Sequence, residues 1–257
     1  MTLLVPNITR SILWAAFFIA IIVAWWMMYA MASQMGLNWY GASVRETGMG
    51  AMISMDSMRV LFPMWAIMMI AMMGPTFVVT MRTYEDLIVS ADGTRGGIIG
   101  LITGYFLAWI GFAGVIAAIQ AMMMAWGWLD IMGASTLLWP SALLLIVVGL
   151  FQFTWVKQVC HGVCHTPMNY FLGHWRTGFI GGTHMGLSLG IYCVVCCWGF
   201  MALGFVGGTM NLLWMGLATV LMTLEKLPQV ARYIVKPLGV SLIVSGILVG
   251  GHALSII

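Results

Sequence analysis

All five cysteines of this 257-residue chain fall between positions 160 and 197, in two tight groups. The first reads Cys160-His161-Gly162-Val163-Cys164-His165 in a polar stretch. The second reads Cys193-Val194-Val195-Cys196-Cys197-Trp198 within an apolar run. Around them lie 25 methionines. Thiolates, thioethers and imidazoles are the ligand set that soft Cu(I) prefers, so the chemistry to look for is the handling of a soft metal.

The second group has the sharper geometry. On a helix, Met185, Cys193, Cys196, Cys197 and Met201 share one arc of roughly 160°. Cys193 and Cys197 stand one turn apart with Cys196 beside both, so three thiols can meet one ion with thioethers above and below. His184 projects from the opposite face. The bland alternative is that cysteine packs as a small hydrophobe. The first group, Cys160, Cys164 and His165, has C-x3-C-H spacing, unlike the C-x2-C of zinc fingers and the C-x-x-C-H of covalent haem. His161 and His174 are possible supplements there, and zinc is the alternative ion. Thiols on a reducing cytoplasmic side bind metal rather than pair as disulfides.

These residues need elements to position them, and composition names the class. The chain is 62% hydrophobic and 7% charged, with a mean hydropathy of +1.03. Soluble domains carry about 25% charged residues. Water-soluble folds and nucleic-acid binders are therefore excluded, and the lipid bilayer is the first partner. Strand alternation is absent. The reading is an all-α polytopic transmembrane bundle of about seven spans, near 11–32, 60–81, 97–125, 135–156, 179–206, 210–225 and 237–256. The first span reads as an uncleaved helix. The whole of 1–257 reads as a single integral membrane domain with two substantial loops, an outer Met-rich one at 33–58 and an inner Cys/His one at 157–178.

Orientation follows from Lys and Arg. With the N-terminus cytoplasmic, Arg10, Arg82, Arg95, Lys157, Arg176, Lys226, Arg232 and Lys236 lie inside. Only Arg45 and Arg59 lie outside. In that frame twenty of the 25 methionines sit on the outer side or in the outer half of a span. They include Met27, Met28, Met31 and Met35, the loop residues Met49, Met52, Met55 and Met58, and Met64, Met68, Met69, Met72 and Met73. Met122, Met123, Met124 and Met132 follow, then Met201, Met210 and Met215. Gap filling has no reason to favour one leaflet. Thioethers also survive in an oxidising compartment where free thiols are lost. Candidate metal ligands are thus Cys160, Cys164, His165, Cys193, Cys196, Cys197, Met69, Met72, Met73, Met185 and Met201.

The remaining polar residues read as structural. Glu225 and Lys226 end the sixth span as an interfacial snorkelling pair, with Glu225 a functional candidate instead if it lies within the span, and Gln120, Gln152 and Asn211 bond across helices. Gly181, Gly182, Gly186, Gly190, Gly204, Gly207 and Gly208 let helices approach closely. No H-E-x-x-H, phosphate loop or nucleophile elbow is present, so metal handling is favoured over catalysis.

The segment Phe153 to Pro228 resembles a bacterial family of predicted metal-binding integral membrane proteins, domain of unknown function 2182. The resemblance is carried by W-A-I-M-M-I-A-M-M-G-P from Trp65, K-x2-C-x3-C-H-x-P from Lys157 and G-x-Y-C-x2-C-C-W from Gly190. It continues through M-N-L-L-W-M from Met210 and E-K-L from Glu225. Members often have His directly before G-x-Y-C, where this chain has Leu189. The resemblance implies binding of a metal, copper first, in the bacterial inner membrane. Two functions are compatible with these residues. One is a Cu(I) handler that chaperones or translocates the ion, exchanging it with a donor or acceptor protein. The other is an accessory or metal-carrying subunit of a membrane redox enzyme, such as a copper-dependent monooxygenase complex.

Overall fold

A computed structural model describes residues 5–41, 58–88, 90–91, 93–130 and 133–255. Met49, Met52, Met55, Met132, Arg45 and Asp56 lie outside the described residues, as does the side chain of His161. The described chain is all-helical, with one isolated bridge between Leu129 and Ser135 and no strand. In order come α1 (Val5–Gln34), α2 (Met58–Ile88), α3 (Arg95–Ala125), α4 (Leu138–Phe151), α5 (Trp155–His165) and α6 (Pro167–His174). They are followed by α7 (Gly178–Ala202), the single turn α8 (Gly204–Gly207), α9 (Leu212–Glu225) and α10 (Pro228–Ser255).

All seven apolar stretches form helix, though among the described residues not all seven are long enough by themselves to cross a membrane. Five helices, α1, α2, α3, the α7–α8 run and α10, are long and apolar enough to cross a membrane, or six crossings if the bent pair α4 and α5 forms one. The fourth stretch breaks after Phe151 and turns by 59° into α5. Thr154 caps the new helix, its hydroxyl accepting from the Lys157 amide at 3.3 Å. The sixth stretch, α9, has 14 residues and reaches about 21 Å, short of a hydrocarbon core of about 30 Å. Asn211 caps its start by accepting from the Trp214 amide at 3.1 Å. Asn211 also bonds across to α8, its Nδ2 donating to the Gly207 carbonyl at 3.2 Å. Residues 155–174, expected as part of an inner loop, are two short helices, α5 and α6.

The bundle is centred on α3 and α7, which pack along one another. A Cβ on Gly100 or Gly104 of α3 would sit 2.1 Å from the carbonyl oxygen of Phe179 or Thr183, and one on Gly182 or Gly186 would sit 2.1 Å from that of Gly97 or Leu101. Two small-x3-small faces therefore meet backbone to backbone, the geometry by which helices associate where no hydrophobic effect drives them together. Helix α2 lies against α3, α1 covers α2, α5 leans on α7, and α4 pairs with α10. Between α2 and α3, Gln120 bonds across as expected, accepting from the Trp65 indole at 2.6 Å. Gln152, expected to do likewise, is buried with its Oε1 unpartnered.

Candidate metal centre

The two cysteine groups converge. Helix α5 folds back against α7 and brings Cys164 Sγ to 3.9 Å from Cys196 Sγ. Cys164, Cys193 and Cys196 form a group whose sulfurs all lie within 4.8 Å of one another, each residue buried. Metal–sulfur bonds are about 2.3 Å, so two sulfurs on one ion stand at most about 4.6 Å apart. The three thiols are thus within a few tenths of an ångström of a coordinating arrangement. Cys197 Sγ lies 3.3 Å from Cys196 Sγ at the edge of the group.

The break between α4 and α5 and the early end of α9 deliver three charged side chains to these thiols. Lys226, at the C-terminal end of α9, donates to Cys193 Sγ at 3.0 Å and to Thr76 Oγ1 of α2 at 3.2 Å. Thr76 in turn donates to the Met73 carbonyl at 2.8 Å. The Tyr105 hydroxyl of α3 stands 3.1 Å from the same Cys193 sulfur. Lys157, in the first turn of α5, donates to the Cys196 carbonyl and to Glu225 Oε2, both at 2.9 Å. Exposure of Lys157, Glu225 and Lys226 is 1%, 2% and 4%, so Glu225 and Lys226 do not reach for an interface as expected. They belong to the interior.

Lys157 and Glu225 neutralise one another, and Lys226, bonded to Cys193 and Thr76, has no carboxylate partner among the described residues. Two thiolates and one Cu(I) carry a single net negative charge, which Lys226 would cancel. Buried charges survive in such places only when paired and hydrogen-bonded.

Cys160 is buried one turn before Cys164 on α5, outside the three-thiol group. His165 turns Nε2 to the Glu225 carbonyl, tying α5 to the end of α9. His174 is exposed and stacks on Tyr170 at 4.8 Å. His184 is exposed, as its position on the helix suggested. Met69, Met72, Met73, Met185 and Met201 are each fully buried in the core. Sequence reasoning missed Thr76, Tyr105 and the roles of Lys157 and Lys226, and marked Glu225 only as a candidate within the span. The available signal was the ionisable residue itself: Lys and Glu inside apolar segments are functional candidates by default.

Fold and site together define a helical membrane protein with a buried cysteine cluster able to hold a soft metal. The chain belongs to the family of PpoB2 copper chaperones, which it matches over residues 62–249. Comparisons with curated proteins and with solved structures return no match.

Proposed function

We propose that this protein is a Cu(I) handler of the bacterial inner membrane and that Cys164, Cys193 and Cys196 bind the ion it passes on. The observation that carries this reading is the convergence of the three buried thiols with one lysine that touches Cys193 and has no carboxylate partner among the described residues. Three soft donors and a compensating cation suit a two- or three-coordinate Cu(I). Structural zinc asks for four closed ligands, and His165, the nearest imidazole in sequence, spends its Nε2 on a carbonyl. Methionines supply the ion from the outer side, a protein donor or acceptor exchanges it, and the N-terminus is cytoplasmic. The segment resembling domain of unknown function 2182 lies within the matched residues, and we take the two family descriptions as one.

The alternative, a metal-carrying subunit of a redox enzyme, calls for imidazole or carboxylate ligands and an open position. Glu225 Oε2 is held by Lys157, and among the described residues no histidine joins the three-thiol group, so the handler is favoured. Plasma mass spectrometry of protein purified without chelators tests the reading. The parent is expected to carry about one copper per chain more than Cys164→Ala/Cys193→Ala/Cys196→Ala. Equal metal in parent and variant would remove the thiols from the function.

A further inference from the structure

We infer that Met28, Met31, Met64, Met68 and Met210 form a second, thioether-only Cu(I) site that loads the thiol cluster. The inference rests on the copper-handling reading above and adds a separate site to it. The five side chains come from three places, α1, α2 and the turn before α9, and surround a cavity of about 10 Å³. That is room for a single water-sized sphere. Met28, Met64, Met68 and Met210 are nine-tenths or more buried. Met28 and Met31 share one face of α1, and Met64 and Met68 one face of α2, at spacings of three and four residues.

Water is a poor occupant. It needs two to four polar partners in such a space, and among the described lining residues Thr209 alone has a polar side chain. A small soft cation is a better one, because thioethers bind Cu(I). They are neutral and release no proton, so the ion is taken up and given away as Cu(I) without any redox step.

Two helices that line the cavity or start beside it, α2 and α9, also run toward the thiols and carry buried methionines along the way. Met68 and Thr76 are two turns apart on α2, about 12 Å. Met72 and Met73 fill that interval, fully buried, and Met73 Sδ lies 4.0 Å from Thr76 Oγ1. Helix α9 starts just after Met210 and ends at the residue before Lys226, and its Met215 and Met222 are fully buried too. Soft donors thus continue from the cavity to the lysine that touches Cys193. Thiolates bind Cu(I) more tightly than thioethers, which sets the direction of loading.

The full chain in detergent, titrated anaerobically with Cu(I), tests this with two variants. One replaces Met28, Met64, Met68 and Met210 with Leu, which keeps volume and apolar character. The other replaces all five cysteines with Ala. Two ions are expected in the parent and one in each variant. X-ray absorption should show sulfur neighbours in the cysteine-free protein, and the methionine variant should load its thiols at least tenfold more slowly. Thermal unfolding of the methionine variant close to the parent's separates a lost site from a lost fold. If that variant unfolds, Met64→Leu alone is used with the same readouts. No ion, or only nitrogen and oxygen neighbours, in the cysteine-free protein would overturn the second site and leave the thiol reading standing. Failure of the parent to bind Cu(I) at all would overturn both.

Discussion

Lys226 Nζ stands 3.0 Å from Cys193 Sγ, a contact between residues 33 positions apart that joins the end of α9 to the middle of α7. It places the one lysine without a carboxylate partner in this network against a thiol of the metal group. Replacing it with an apolar residue removes the cation that balances a metal-bound thiolate. Lys226→Met is expected to weaken Cu(I) binding by about 10- to 100-fold, as loss of a partner behind a ligand commonly does. Competition with a chromogenic Cu(I) chelator measures it. Unchanged affinity would reduce Lys226 to packing.

The cysteines of α5 are not equivalent. Cys164 faces Cys196 at 3.9 Å, whereas Cys160 stands outside the group. Cys164→Ala is expected to lower Cu(I) affinity at least tenfold, about 1.4 kcal/mol, while Cys160→Ala leaves it within twofold. The same competition assay distinguishes them, and equal losses would point to a larger site that includes both.

The Lys157–Glu225 pair is expected to show coupling in a double-mutant cycle. Its ammonium and carboxylate are both buried and 2.9 Å apart. Glu225→Leu alone strands the lysine and should cost about 3–5 kcal/mol of stability. Lys157→Met together with Glu225→Leu removes both charges and should cost distinctly less than the two single changes combined. Thermal unfolding in detergent reports the cycle, and simple additivity would show that the pair is not coupled.

Close helix contact makes its own prediction. Gly186→Ala puts a methyl group 2.1 Å from the Leu101 carbonyl oxygen, and backbone rather than a flexible side chain must move. Since α7 carries three of the five cysteines, the substitution should lower both thermal stability and copper retention. Gly111→Ala, where a Cβ meets nothing within 4 Å, is the control and should change neither. A stable Gly186→Ala protein with normal copper would mean that α3 and α7 can part without disturbing the thiols.

The matched family and the three-thiol group agree with the soft-metal chemistry read from residue types alone. The second cysteine group was legible because Cys193, Cys196 and Cys197 lie on one helix, where local periodicity fixes which side chains share a face. Cys164 was assigned to a different site because its distance from Cys196 depends on how α5 folds back after a break that no proline marks. Lys226 was read as an interfacial anchor for a related reason. Its depth depends on α9 being too short to carry it to the interface, and helix ends are poorly defined by composition.

By itself, then, the sequence determined the membrane class, the apolar helices and the soft donor set, because each follows from residue type and local spacing. Tertiary structure decided that the two thiol groups are neighbours. It also placed Lys226 against Cys193 and a neutral Lys157–Glu225 pair beside them, and five methionines from three elements around one cavity. Those relationships come from helix breaks and from glycine faces that bring backbones into contact, and they link residues too far apart in the chain for any local pattern to record.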